Sequence, residues 1–584
     1  MNAPELPVMC VHPGQSFAAA QLRTRPRGRI GGIHGEAAAN GAALAAMARA
    51  LGPAAMLLGP SRSIVADWDA CWLDGSPIED IATWQAVVDS GRVEQVRGAF
   101  ALAWRNPRGE LCLCRDAIGE RTLYWSQVGD GIVFASTLRG LLASGLVVRD
   151  VDPVSVVSYL CFGYLPGARS MLRGVRELLP GELLRCDGAA MHSSRIWSLA
   201  PEAEHAQATD EEHAAARLRD LLDTAVLRRL PDTDEPVGAT LSGGIDSSLV
   251  VAIARKLHAG PVHTYAISFG REYRNELTFS SLVAAHCGTI HHILELPQES
   301  VLQHLDATIG LLSDPIGDPL TVPNALAFRE AARDVAVVLN GEGGDPCFGG
   351  PKNLPMLLAE LLGDGKDGGP IGARGAEPVG AYGRERSYLR AHEKCFDDLP
   401  VMLGPHLEVA LRDAPLERFL AEHFSDPRWR SFVTRLQALN LTFKGAHHIL
   451  HKVDEVSFPF GVLSRAPLFD RDVAQAAFAL PPTMRLRGSV EKYLLKHAVR
   501  DLLPQAILDR PKSGMLVPVE AWFRGPLKSH AQERLLDGLS QWNLFERAYL
   551  ERLLAGRLPG LRPRHGVKIW LLVTLEAWLR TVVR

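Results

Sequence analysis

With 584 residues, 47% of them hydrophobic and 22% charged, the chain is long enough for two to four domains, each with a core of its own. Its 63 basic residues nearly balance 66 acidic ones, and the net charge of −3 offers no electrostatic case for nucleic acid or an anionic membrane. Nine cysteines, scattered singly apart from Cys112 and Cys114, form no CxxC pair and no metal spacing, so reduced thiols in a cytoplasmic protein are expected.

The first residues show no basic-then-apolar signal region, and the Ala-rich stretch from Ala37 to Gly59 is broken by Asn40 and Arg49, so it reads as a water-soluble helix and not a membrane span. Residues 1–195 read as β-rich: 111–116 and 131–136 are strand-like, and Asn106-Pro107-Arg108-Gly109 is the turn before the first. A polar linker over 199–209 precedes a helix predicted from Asp210 to Leu230, with Glu211 and Glu212 in its first turn and Arg228-Arg229 in its last. From 236 to about 350, apolar runs alternate with helical patterns, which predicts a parallel sheet with helical crossovers; 263–269 and 335–340 are two of its strands. Gly-rich residues 362–386 read as a mobile loop, and 387–584 as mostly helical, closing on an amphipathic helix over 570–579.

One motif carries the chemistry. Ser242-Gly243-Gly244-Ile245-Asp246-Ser247-Ser248 follows the apolar run Pro236–Leu241 and leads into the helical Leu249–Ala254. Two glycines let the backbone approach phosphates, while the N–H groups and dipole of the new helix face the anion. Three hydroxyls add donors. Asp246 would repel phosphate unless it held a cation, so an acid inside an anion cradle predicts Mg²⁺. No lysine follows the glycines, so this is not the loop that transfers a γ-phosphate. The bend Gly341-Glu342-Gly343-Gly344-Asp345 also falls at a strand's carboxyl end, where ligands of such sheets bind. Asp246 and Asp345 are therefore expected to clamp one Mg²⁺ over a single triphosphate.

Two histidine groups read as structural. His447, His448 and His451 make HHxxH, but no acid completes a zinc motif and Ile449 and Leu450 look like packing. His291-His292 is likewise expected to be structural or substrate-facing and not a ligand pair.

Taken in order, SGGIDSS, Gly341–Gly350, Lys452-Val453-Asp454-Glu455, Ser464–Asp470, Leu480-Pro481-Pro482, Lys492-Tyr493-Leu494-Leu495 and Arg510–Gly514 resemble asparagine synthetases and their relatives. Gly98–Leu102, Arg115–Gly119 and Phe134-Ala135-Ser136 resemble the glutaminase-type domain of that family. The resemblance implies an α/β chain of two domains. Residues 1–195 would be a degenerate Ntn-type αββα unit, and 210–584 a PP-loop, adenine-nucleotide α-hydrolase-like ligase unit with a parallel sheet and a helical extension. It implies an AMP-forming amide ligase: a carboxylate attacks the α-phosphorus of ATP, pyrophosphate leaves, and an amine displaces AMP. Leu241, Ser242, Gly243, Gly244, Asp246, Ser247, Ser248 and Gly343 would hold ATP and Ile267 would face the adenine. Asp246 and Asp345 would hold Mg²⁺, Lys492 would stabilise adenylation, and Glu342 would accept a proton from the amine.

The departures point the same way as each other. Family members that use glutamine expose an N-terminal cysteine nucleophile, whereas Asn2 follows Met1 here, and the glutamine-binding segments are missing. A Cys10 start at Met9 would still lack them. Loss of glutaminase activity is thus expected, with ammonia or an amine on the substrate as nucleophile. The carboxylate is expected to belong to a peptide or small molecule other than free aspartate, as in lasso-peptide cyclases. Ammonia-dependent asparagine synthesis is the rival enzyme reading, and a silent scaffold the non-enzyme one. The resemblance also leaves room for a homodimer.

Overall fold

The computed structural model describes residues 9–11, 27–35, 40–59, 62–188, 190–202, 210–273, 275–350, 382–511, 514–560 and 564–584. Two stacked sheets build the N-terminal unit. One has the strand order 175–177, 124–128, 131–135, 30–34, 56–58; the other runs 190–195, 182–187, 111–115, 97–105, 64–73, 76–77. The alternating apolar residues of facing strands close a dry core between them, with Ile30, Val65, Ala101, Leu113 and Phe134 all at 1% exposure or less. Helices Gly41–Leu51 and Leu138–Ala143 cover the outer face of the first sheet, and Ile81–Asp89 covers the second through Trp84. The layering is αββα, as expected. The Ala-rich stretch is helical only over Gly41–Leu51; Gly52, at φ 105°, ends it, and Met56–Leu58 returns as a strand beside Ile30–Gly32.

The second unit is built on a six-stranded parallel sheet ordered 9–11, 290–295, 262–268, 237–240, 337–339, 463–465. Its strands Val237–Thr240 and Val337–Leu339 are short and largely buried, flanked by crossover helices such as Ile245–Leu257. Gly238 is needed in the second central strand, because a Cβ there would meet Val335 Cγ2 at 2.8 Å and Val338 Cγ2 at 3.0 Å. Asp210 caps the helix Glu211–Leu227 by accepting from Glu212 N at 3.0 Å, and the predicted basic end Arg228-Arg229 falls just beyond it.

Several expectations need correction. Met9–Val11 pairs with His292–Leu294, so these residues join the ligase sheet and not the N-terminal unit. Cys10 therefore lies on the edge strand of the ligase sheet. Of the proposed loop 362–386, residues 362–381 lie outside the described residues, while Gly383–Ala391 is a helix. The closing helix spans His565–Trp578 and is buried on every side from Ile569 to Trp578, so it is a core helix and not an amphipathic one. No helix is long and apolar enough to cross a membrane among the described residues.

Buried ion pairs weld the two units. Arg27 reaches Asp67 at 2.6 Å and also pairs with Asp454; Arg121 donates to Asp454 at 3.0 Å, and Arg465 lies 2.7 Å from Asp69. Arg465 and Arg121 hold the Asp69 carboxyl down to about 2 against the burial that would raise it.

Candidate active site

The strand Val237–Thr240 runs into the SGGIDSS turn, and Gly243 adopts φ +73°, a region that penalises any side chain. Ser242 N donates to Ser247 Oγ at 3.2 Å, and the two hydroxyls lie 3.1 Å apart, so the turn is laced before any ligand enters. Ile245–Leu257 then starts with Asp246 in its first turn. The second bend is pressed against the first. A Cβ on Gly341 would sit 2.4 Å from Ser247 N, and one on Gly344 would sit 2.0 Å from Asp246 Oδ1. Only glycine at both positions permits that approach.

Lys492 closes the arrangement from the C-terminal side. It follows the small hairpin Leu486–Glu491, caps the helix Tyr493–Ala498, and holds φ 55°, a left-handed conformation costing a non-glycine residue roughly 1–2 kcal/mol. Its fully buried Nζ lies 2.5 Å from Asp246 Oδ2 and 2.5 Å from Asp345 Oδ1. The two carboxylate oxygens, sharing one ammonium, are thus no more than about 5 Å apart, close enough to serve one cation.

These bends open on a cavity of about 220 Å³. Leu241, Ser242, Gly244, Asp246 and Ser247 line it from the first turn, Glu342, Gly343 and Asp345 from the second, and Ile267 from the neighbouring strand. Three predicted residues stand outside this lining. Ser248 is fully buried beneath the turn; Gly243 supplies curvature and turns its carbonyl to Arg510 at 2.9 Å; Lys492 borders a smaller adjoining recess with Gly244. Ser248, expected to hold ATP, has its hydroxyl buried in the first helical turn with no hydrogen-bond partner among the described residues.

Sequence reasoning gave no role to Arg510, which also pairs with Glu276 and lies 4.0 Å over the Phe279 ring. It braces the Gly243 turn across 267 positions, a separation no local pattern signals. The far wall was missed as well: Leu320, Ala327, Phe328, Ile449 and Val453 make it apolar, with Asn324 and Lys444 as its polar groups. Lys444 rides on a π-helical stretch, Asn440–Leu450, a form that is concentrated at functional sites.

The HHxxH histidines diverge to separate partners. His447 Nδ1 lies 2.7 Å from Glu177, His451 Nε2 lies 2.8 Å from Glu455, and His448 stacks on Tyr164 with centroids 5.1 Å apart. Burial lowers His448 to about 4. They are core histidines, as expected.

Fold and site together define a two-part protein in which an amidotransferase-type αββα unit is fused to a parallel-sheet unit with paired glycine bends. An asparagine synthase family model matches residues 217–580, and a glutamine amidotransferase domain model matches 81–197. The chain belongs to the asparagine synthase family, whose members are ATP-dependent amide ligases.

Asparagine synthetase (glutamine-hydrolyzing) 1 of Bacillus subtilis is 24% identical over 83% of this chain and 77% of its own. A putative asparagine synthetase (glutamine-hydrolyzing) of Mycobacterium tuberculosis is 27% identical over the same shares. Among solved structures, NH3-dependent NAD synthetase of Campylobacter jejuni is 18% identical, with a TM-score of 0.19 over 41% of this chain and 95% of its own. Glutamine phosphoribosylpyrophosphate amidotransferase of B. subtilis is 12% identical, with a TM-score of 0.16 over 39% and 67%.

Proposed function

We propose that this protein adenylates a substrate carboxylate and passes the acyl group to an amine. A carboxylate oxygen attacks the α-phosphorus of ATP, the bond to the bridging oxygen breaks, and pyrophosphate leaves; nitrogen then attacks the acyl carbon and AMP departs. The observation carrying this reading is the convergence of Asp246 and Asp345 on one buried ammonium beside two open glycine bends.

The residues fit a divalent cation: two acids from separate bends share a centre that a cationic group already neutralises. Asp246 and Asp345 would hold Mg²⁺, which when bound would neutralise charge on the triphosphate. Backbone N–H groups of the SGGIDSS turn and the Ser242 and Ser247 hydroxyls receive phosphate oxygens. Ile267 packs against the base. Lys492, released from the two carboxylates, faces the negative charge that builds at the α-phosphorus. Glu342 stands in the cavity wall where it can take the proton the amine loses.

Free aspartate carries a second carboxylate and an ammonium, each needing a partner when buried. The far wall offers Lys444 and Asn324 against five apolar side chains, which favours an acid with an apolar body, such as a peptide or natural-product intermediate, with a macrolactam-forming cyclisation as one instance. The described cysteines of the N-terminal unit are buried, and burial pushes the Cys71 and Cys114 thiols well up and Cys112 to about 11. None suits glutamine hydrolysis, which supports ammonia or a substrate amine as the nucleophile.

Pyrophosphate release screened over carboxylic acids tests the proposal. ¹⁸O passing from the acid into AMP is the expected signature. Release with aspartate and ammonium but with no larger acid selects asparagine synthesis instead, and no ATP turnover with any acid selects the scaffold.

A further inference from the structure

We propose that His263, His292 and Asp334 form a binding site for a first-row divalent cation, of which Zn²⁺ fits best. The site lies at the amino ends of the parallel strands, away from the paired glycine bends. His263 is the second residue of Val262–Ser268 and His292 the third of Ile290–Glu295, while Asp334 precedes Val337–Leu339. Tyr265 stands opposite His292 in parallel register, so His263, Tyr265 and His292 share one sheet face. His291 takes the other face, bonded to Thr264 Oγ1 at 2.9 Å. Neighbouring His291 and His292 are thus no ligand pair; His292 finds its partner on the next strand.

The distances match a metal centre. His263 Nδ1 lies 3.0 Å from His292 Nε2, and each nitrogen lies 3.9 Å from Asp334 Oδ2. A point equidistant from these three atoms falls about 2.1 Å from each, the bond length of zinc to imidazole nitrogen and carboxylate oxygen. Within the described residues, these three are also the one group of His, Cys and acidic side chains with ligand atoms this close together.

Chemistry and access agree with the distances. Two imidazoles and a carboxylate are a borderline-soft donor set suited to zinc and unlike the all-oxygen shells of Ca²⁺ or Mg²⁺. The Tyr265 hydroxyl donates to Asp334 Oδ2 at 3.1 Å and its ring stacks on His292 at 4.8 Å, outer contacts of the type that orient ligands. The Asp334 and His263 side chains are 34% and 13% exposed, so an ion can enter and water can complete its shell.

Without an ion, the two rings lie 11° from parallel with their nitrogens facing, which is one shared N–H···N bond. A cation takes that proton's place: the donor ring's proton moves through solvent to its other nitrogen, and both rings turn about χ2 until their lone pairs converge. The bound ion would tie two adjacent strands to the segment entering a third.

The test uses the full chain after chelator treatment, with Zn²⁺ alone as probe, titrated against a chromophoric chelator. One zinc per chain with submicromolar affinity is expected. Asp334→Asn, the mildest change, and His263→Ala should each weaken uptake by more than about 100-fold, beyond the roughly 10–100-fold that loss of an outer contact costs, while circular dichroism stays unchanged. Co²⁺ should give tetrahedral d–d absorption in the parent and none in the His263→Ala protein. Binding weaker than about 10 µM, or uptake that Asp334→Asn and His263→Ala leave intact, overturns the proposal.

Discussion

Lys492 donates to Asp246 at 2.5 Å across 246 positions of chain, and in doing so places a buried ammonium where two glycine bends meet. The bond joins the residue proposed to drive adenylation to one proposed to hold the metal. Before nucleotide arrives, one neutralises the other.

Lys492→Ala should reduce pyrophosphate release by at least about 100-fold, the scale of losing one transition-state donor. It should also leave Asp246 and Asp345 facing each other, lowering the melting free energy by about 1–3 kcal/mol. Added Mg²⁺ should then raise the melting temperature of the variant more than that of the parent. Equal Mg²⁺ shifts in both proteins would remove the shared-centre argument.

Gly344→Ala tests the interlock. The new Cβ would fall 2.0 Å from Asp246 Oδ1 and 2.3 Å from its Cγ, on a short side chain that Lys492 holds in place. A loss of about 1–3 kcal/mol in stability is expected from overpacking, together with loss of ATP binding in a fluorescent-nucleotide titration. Gly488→Ala, at a φ of +58° with no atom near its Cβ, should cost stability but leave ATP affinity unchanged.

Lys444→Ala separates the acid end of the cavity from the nucleotide end. The KM for the carboxylate should rise about 10–100-fold, the worth of a charge-assisted hydrogen bond, while the KM for ATP stays within about twofold. A variant with both constants unchanged would show that the acid binds elsewhere.

The pH dependence of stability should show His451. Burial alone would lower its pKa, but Glu455 at 2.8 Å, with Glu177 and Asp314 behind it, outweighs burial and raises it to about 9 from 6.5. A raised pKa means stability fully present below about pH 6.5 and lost as pH climbs through 9. Urea melts should therefore weaken by on the order of 2–3 kcal/mol over that range, and His451→Gln should flatten the slope. At the acid end the sign reverses. Burial would raise Glu177, but Arg115 and then His447 hold it at about 2, so its contribution is present above about pH 4.5 and fades toward pH 2.

Legibility tracked the range of the interaction. The SGGIDSS turn could be read because strand, glycines and helix start lie within a dozen residues and each has a local conformational reason. Gly341–Asp345 was legible for the same reason. The burial of Ser248 was not legible, because motif membership does not say which side of a helical turn faces the cavity. The helix 565–578 was misread as amphipathic because its burial comes from neighbours far along the chain.

By itself, the sequence determined the two-unit order, the parallel α/β character of the second unit, and the two glycine bends at strand ends, since all follow from short-range sterics and apolar periodicity. Only the tertiary structure decided that Lys492 neutralises Asp246 and Asp345 together, that Arg510 braces the Gly243 turn, that Met9–Val11 crosses into the other unit, and that His292 meets His263 and not His291. Those contacts depend on which strand lies beside which and on which face a side chain emerges, and packing of the whole chain sets both.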